Sequence, residues 1–186
     1  MRIVLVRHGQ TEWSASGKHT STTDVPLTDQ GRRAAAALPL RDRDFALVLT
    51  SPRVRARDTC ELAGFSGEVD DDLVEFDYGE YEGLTTNEIR ERRPWWSLWR
   101  DGCPGGETPA DVGERVDHVI ARALWTDGDV ALFAHGHVLR ILGARWLGLP
   151  ASSGALFALD TASVCELGFE RENRVVWKWN VTRESG

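Results

Sequence analysis

Short, nearly uninterrupted apolar runs punctuate the chain at Ile3–Val6, Phe45–Thr50 and Asp129–Ala134. Runs of this length without polar alternation suit strands buried on both faces of a parallel sheet. Stretches at Ala155–Leu159, Val164–Phe169 and Val175–Trp179 predict later strands. Between the runs the period changes to that of helices. Thr28 is placed to cap an alanine-rich helix over Asp29–Leu38. Ser51-Pro52 reads as N-cap and first residue of a helix over Arg53–Leu62, because serine accepts from an orphan N–H and proline needs no donor there. Helical patterns also fit Thr108–Trp125 and His137–Leu147. The alternation predicts an α/β fold, a three-layer α/β/α sandwich around a mostly parallel central sheet. In such sheets ligands gather beyond the carboxyl ends of the strands.

Composition narrows the picture. A chain of 186 residues suits one domain, residues 1–186, able to bury roughly 70% of its unfolded surface. It shows no repeat, low-complexity tract or long linker. Apolar content of 41% and charged content of 27% are those of a soluble globular protein, and no apolar run approaches the ~20 residues that cross a bilayer. The N-terminus runs straight into a strand without the basic start and cleavage site of a signal peptide. Cys60, Cys103 and Cys165 are odd in number and lack metal-ligand spacing, which argues against a disulfide framework or a metal site. A cytoplasmic location is expected. A net charge of −7 argues against nucleic-acid or anionic-membrane surfaces, so any anion site must be local. Assembly into homo-oligomers is left open.

Candidate chemistry sits at the strand ends. The three clearest strands are followed by Arg7-His8, by Ser51 with Arg53, Arg55 and Arg57, and by His135-Gly136-His137. Taken singly, a histidine after a strand reads as a structural hydrogen-bonding group, and the three arginines read as a solvated helix face. Their convergence on one sheet edge points elsewhere. Clustered cations repel unless an anion or carboxylate joins them, and guanidinium groups match phosphate oxygens by bidentate hydrogen bonds. Phosphate is the expected ligand.

Four stretches in order, VRHGQTEW, TSPRVRARDT, LVEFDYGEYEG and FAHGH, resemble the histidine phosphatase superfamily, whose fold is phosphoglycerate mutase-like. The resemblance covers nearly the whole chain. It implies that His8 is a nucleophile that becomes phosphorylated, with Arg7 gripping the phosphoryl group. The pattern S-x-x-x-R-A-x-x-T implies Arg55 as the second phosphate arginine, A-H-G implies His135 as the second pocket histidine, and L-x-E-x-x-Y-G implies Glu75 as general acid. On physical grounds Arg7, Arg55 and a protonated His135 are expected to keep a lone pair on His8. Asp77, Glu80 and Glu82 are candidate neighbours that would hold a proton on Glu75. By spacing alone, Glu75 reads equally well as a surface carboxylate of an acidic run.

Thr11, Thr20, Ser21, Arg100, Glu107 and His137 are the candidate substrate-binding residues. Thr11 or neighbouring Gln10 also suits simple stabilisation of the turn after R-H-G, Glu107 the first turn of the next helix, and His137 a structural cap. Arg53, Arg57, Arg100 and Lys18 are candidates for a distal phosphate. His118 and His19 read as structural or exposed, although His19 borders the expected pocket. The tryptophans of RPWWSLWRDGC are expected to pack a loop over the site as a lid. Mutases of the family usually carry asparagine at the position of Ser14, glycine at that of Ser21, and a longer insertion before the helix at Thr108. The chain is most similar to the sedoheptulose-bisphosphatase and acid-phosphatase branch, which favours hydrolysis over isomerisation. The resemblance thus implies a phosphomonoester hydrolase that needs no metal or cofactor. It would act through a phosphohistidine on a small-molecule phosphomonoester such as a sugar phosphate or bisphosphate. A 2,3-bisphosphoglycerate-dependent phosphoglycerate mutase and a non-catalytic phospholigand-binding module remain the alternatives.

Overall fold

The computed structural model describes residues 1–182; residues 183–186 of the predicted single domain lie outside the described residues. In chain order the elements are β1 (Arg2–Arg7), α1 (Glu12–Ala15), α2 (Asp29–Ala36), β2 (Leu47–Thr50), α3 (Val54–Leu62) and β3 (Glu68–Val69). They continue as α4 (Thr86–Arg92), α5 (Leu98–Asp101), α6 (Pro109–Leu124), β4 (Val130–Ala134), α7 (Gly136–Trp146), β5 (Val164–Glu170) and β6 (Asn173–Val181). The strands form one sheet in the order β3-β2-β4-β1-β5-β6. Strands β3, β2, β4 and β1 run parallel, and β5 and β6 complete the sheet antiparallel.

The central strand β1 shows why the sheet is covered twice. Successive side chains of a strand point to opposite faces. Ile3 and Leu5 enter the core that includes Val116 and Ile120 of α6 and Val138 and Leu142 of α7. Val4 and Val6 enter the opposite core with Leu38, Cys60, Ala131 and Phe133, beneath α2 and α3. Removing a fully buried ring such as Phe133 from such a core costs about 3–5 kcal/mol. Helix α6 is sharply bounded at its start by a capping box between Thr108 and Asp111 with Pro109 in the first turn.

Three predicted elements differ. Ala155–Leu159 is not a strand: residues Ala151–Leu156 form a short 3₁₀ helix after Pro150. That segment is a pad, with Gly154 lying so close under Trp99 that a Cβ there would sit 2.5 Å from the indole ring. Helix α2 stops at Ala36, short of Leu38, because Leu38 precedes Pro39 and the residue before a proline is driven out of the helical region. Helix α3 starts at Val54 with Arg53 as an N-cap that makes no side-chain capping bond. Ser51 is therefore not its N-cap residue; its hydroxyl accepts the Arg53 N–H at 3.4 Å and lies 2.7 Å from His135 Nε2. The short α1, α4 and α5 were not predicted, since four to seven residues carry too little periodicity to register.

Candidate active site

Parallel pairing places the candidate residues together. Arg7 is in register with Ala134, and Thr50 with Phe133, so the residues that follow β1, β2 and β4 emerge side by side. The backbone N–H of His8 then bonds to the Ala134 carbonyl at 3.0 Å and that of Ser51 to the Phe133 carbonyl at 2.9 Å. The turn after His8 docks backbone to backbone on the start of α2. A Cβ at Gly9 would lie 2.4 Å from the Gly31 carbonyl oxygen, and one at Gly31 would lie 2.1 Å from that of Gln10. The Gly9 N–H donates to Thr59 Oγ1 at 3.0 Å, and that hydroxyl donates to the Arg55 carbonyl at 2.7 Å.

His8 is buried, with Nδ1 2.7 Å from the carbonyl oxygen of its neighbour Gly9. A carbonyl only accepts, so Nδ1 carries the proton and Nε2 keeps the lone pair. Among the described residues Nε2 makes no hydrogen bond, and His8 lines a cavity. Desolvation pushes His8 well below its ordinary value of 6.5, and the charges of Arg7 and Arg55 push it the same way, against the Gly9 carbonyl. His135 lies behind it. Arg55 Nε donates to His135 Nδ1 at 3.2 Å, so Nε2 of His135 bears the proton and gives it to Ser51 Oγ at 2.7 Å. Burial, then Arg55, His8 and Arg7, push His135 well down. The expected protonated His135 is thus replaced by a neutral one, and guanidinium groups supply the positive charge.

Arg55 is sealed from solvent. Its terminal nitrogens donate to the Thr23 carbonyl at 3.1 Å and to those of Thr20 and Ser21 at 3.1 and 3.3 Å. Each of its nitrogens thus carries a protein hydrogen bond, and its charge lowers His8. Arg7 differs: one terminal nitrogen bonds to the Leu159 carbonyl, while its buried Nε has no partner among the described residues. Its guanidinium packs on Gly136, where a Cβ would stand a tight 3.2 Å from Cζ, so glycine eases its approach to the first turn of α7.

Glu75 meets the same helix end. Oε1 accepts from the N–H groups of Phe76 and Val138, both at 2.9 Å, and Oε2 accepts from that of His137 at 3.0 Å. A clamp holds the segment that carries it. Arg115 donates to the carbonyls of Asp72, Val74 and Glu75 at 2.7, 2.8 and 3.2 Å and to both oxygens of Glu107 at 2.8 and 3.0 Å. Glu107 also accepts from the Asp77 N–H at 2.8 Å. Glu82 is likewise occupied, receiving the N–H groups of Ser21 and Thr23, and Asp77 receives that of Gly79. These two carboxylates organise loops and are not directed at Glu75 as the sequence suggested.

A cavity of about 260 Å³ opens above His8. Of the sequence-predicted residues, Arg7, His8, Thr11, Thr20, Glu75 and His137 line it. Ser21 lies behind the wall, its hydroxyl on the Glu75 carbonyl at 3.3 Å. Glu107 is held in the Arg115 clamp, and Arg100 is exposed and bonded to Asp101 at 2.7 Å. Arg53 and Arg57 do not reach the cavity; Lys18 and His19 do. His19 rests on Tyr78 with ring centroids 4.6 Å apart, and burial lowers it to about 4. None of the tryptophans lines the cavity: Trp95 is exposed, Trp96 is buried with its N–H on the Gly102 carbonyl at 2.9 Å, and Trp99 stands edge-on to His137 at 5.3 Å. Sequence reasoning missed Tyr78, whose hydroxyl is 2.6 Å from His137 Nδ1, and Arg140. Arg140 falls three residues after His137 on one helix, a spacing that puts both on the same face. Larger hollows beside Arg145 and beside Arg41 hold no histidine. Among the described residues no three His, Cys, Asp or Glu side chains converge as a metal site, and no helix is long and apolar enough to cross a membrane.

Comparison with known proteins gives concordant matches. The family model of the histidine phosphatase superfamily (branch 1) matches residues 3–182. An acid phosphatase of Mycobacterium tuberculosis is 46% identical over 176 residues, spanning 91% of this chain and 87% of that protein. A sedoheptulose 1,7-bisphosphatase of Saccharomyces cerevisiae is 41% identical over 186 residues, spanning 80% of this chain and 68% of that one. The solved structure of a Mycobacterium tuberculosis open reading frame superposes with a TM-score of 0.90 at 43% identity, covering 97% of each chain.

Proposed function

The chain belongs to branch 1 of the histidine phosphatase superfamily, and from that premise we propose that it hydrolyses small phosphomonoesters, sugar phosphates and bisphosphates among them, through a phosphohistidine on His8. The observation that carries this reading is the fixed tautomer of His8: its Nδ1 is tied to the Gly9 carbonyl, Nε2 makes no hydrogen bond among the described residues, and His8 lines a cavity together with arginine. The relatives that are acid phosphatase and sedoheptulose 1,7-bisphosphatase support hydrolysis over isomerisation.

In this reading the Nε2 lone pair attacks phosphorus, the N–P bond forms and the ester P–O bond breaks. Arg7 holds the phosphoryl oxygens through its unpartnered Nε, and Arg55 adds charge from behind the ring; such preorganised charge is the main catalytic resource in phosphoryl transfer. The departing alkoxide takes a proton from Glu75. Oε2 is the oxygen suited to that task, since it accepts one backbone N–H where Oε1 accepts two. Water then attacks phosphorus and gives its proton to Glu75, and the N–P electron pair returns to His8.

The test is trapping of the intermediate. Rapid quench should yield an acid-labile, base-stable phosphoenzyme in the wild type and none in His8→Ala, which should lose turnover. Wild-type rates in that variant would refute the assignment. Interconversion of 3- and 2-phosphoglycerate outrunning phosphate release would transfer the function to a mutase.

A further inference from the structure

The last strand of the chain fastens the segment on which Arg7 rests. Between β5 and β6, Val164 pairs with Val181 and Glu166 with Lys178, so Trp179 and Asn180 of β6 together oppose Cys165. An extra residue of this kind re-aims side chains out of the ladder, and such bulges recur beside active sites. Here Asn180 takes a left-handed φ of 55°, a conformation that asparagine tolerates better than most residues. Its amide meets Asp160 twice: Oδ1 accepts the Asp160 N–H at 2.7 Å, and Nδ2 donates to the carboxylate Oδ2 at 2.8 Å. Trp179 adds a third bond, its ring N–H donating to the Ala158 carbonyl at 2.6 Å.

The residues between Ala158 and Ser163 carry these bonds inward. The Leu159 carbonyl accepts from the Arg7 guanidinium, the Ala162 N–H donates to the His8 carbonyl at 3.0 Å, and the Ser163 carbonyl accepts the Arg7 N–H at 3.2 Å. The Asp160 carbonyl receives the Ser163 hydroxyl at 2.6 Å, and Ala162 between them is bent to a φ of 52°. A residue other than glycine stays in that region only where its surroundings over-determine it. Burial opposes the charge of Arg7, and Asp160 is among the groups, after Glu75 and Tyr78, that support it. Leu159 lines the cavity, whereas Asp160 and Asn180 do not, so these two reach the reaction through the backbone that they hold.

We propose that Asn180 is a positioning residue for phosphoryl transfer: by fixing Asp160 it sets the Leu159 carbonyl, and with it the Arg7 guanidinium, against the reactive turn. The inference rests on the phosphatase reading and extends it to the far end of the chain. One terminal nitrogen of Arg7 is spent on that carbonyl, so the placement of the carbonyl decides where the remaining donors point. Catalytic groups tolerate little error of this kind, because a small misplacement costs rate steeply.

The experiment measures kcat and KM for p-nitrophenyl phosphate and, by calorimetry, the Kd of orthovanadate, which imitates the transferring phosphoryl group, with thermal melts as a folding control. Asn180→Asp keeps a side chain that tolerates the left-handed backbone but sets a carboxylate against that of Asp160. It should lower kcat and raise the vanadate Kd by about tenfold or more, with KM changing less. Asp160→Asn alone should cost less, since two amides can still pair. The exchanged pair, Asn180→Asp with Asp160→Asn, restores both hydrogen bonds, because the carboxylate at 180 accepts from the backbone and side-chain N–H groups of residue 160. Both constants should return to those of Asp160→Asn. A residue that merely holds the fold would lower kcat through loss of active protein and leave KM and the vanadate Kd unchanged. That result, or no recovery in the exchanged pair, would overturn the proposal. If Asn180→Asp fails to fold, Asn180→Gly, which keeps the backbone and removes the amide, should show the same rise in Kd, and an unchanged Kd there would overturn it equally. A wild type that binds vanadate without releasing phosphate from p-nitrophenyl phosphate would instead remove the phosphatase reading, while the vanadate comparison would still decide the role of Asn180.

Discussion

The rings of His8 and His135 stand edge to face with centroids 5.2 Å apart, and both are held well below the ordinary imidazole value of 6.5, first by burial and then by the neighbouring cations. The pair is therefore neutral at physiological pH. The reactive form of His8 is the unprotonated one, which persists as pH falls until its lowered pKa is reached. The acid limb of the kcat/KM profile should thus lie below pH 6.5. Arg55→Met removes one of the charges that lower His8 and should move that limb upward. A wild-type limb at or above 6.5 contradicts the arrangement.

His19 links pH to stability. Its pKa falls from 6.5 to about 4 through burial, so the folded state resists a proton that the unfolded chain accepts. The stability from keeping it neutral is complete above 6.5 and is lost progressively as pH drops towards 4, an effect on the order of 3 kcal/mol. His19→Phe keeps a ring against Tyr78 and cannot titrate. Its melting temperature should decline less steeply across that window than the wild type's; parallel curves would show that His19 does not carry the effect.

Arg115 is predicted to matter through Glu75. Arg115→Met leaves Glu107 without its partner and frees three carbonyls around the acid. Loss of general-acid help is typically worth about 10²–10⁴-fold, and a displaced Glu75 should forfeit part of it. The rate should drop far more on an alkyl phosphate than on p-nitrophenyl phosphate, whose leaving group needs no proton. Uniform loss on both would mean that the clamp only holds the fold.

Gly9→Ala tests the docking of the reactive turn. The added methyl would fall 2.4 Å from a backbone oxygen of Gly31, and neither backbone can yield without moving α2 or His8. Overpacking of this kind costs about 1–3 kcal/mol or more. Denaturant melts should record the loss, and activity should fall with it. Gly31→Ala, clashing with Gln10 from the other side, should reproduce both effects.

The sheet and its reactive edge were legible because they depend on local signals: apolar runs for β1, β2 and β4, and chemistry in the residues that follow them. What the sequence could not convey was pairing between distant segments. Nothing in the spacing of Arg55 indicates that its nitrogens would be taken by the loop at residues 20–23, nor that Glu107 would face Arg115. Ser51 looked like a cap because Ser-Pro is a good helix start, yet a buried imidazole nitrogen competes for the same hydroxyl. The strand expected near Ala155 failed for a similar reason, since the room required beneath Trp99 is a tertiary fact. Arg140 was within reach of helical spacing alone.

The cavity rim has a different ancestry of contacts from its floor. His8 and His135 hang from the sheet, whereas the rim segments pair with each other: the His19 N–H bonds to the Leu84 carbonyl at 2.9 Å, the Gly83 N–H to the His19 carbonyl at 2.8 Å, and Lys18 bridges to Thr85. Substitutions that reshape this rim leave the strands that carry the nucleophile in place. The tether to the reactive groups runs through residues 20–23, whose carbonyls hold Arg55, so the rim can vary most freely outside that stretch.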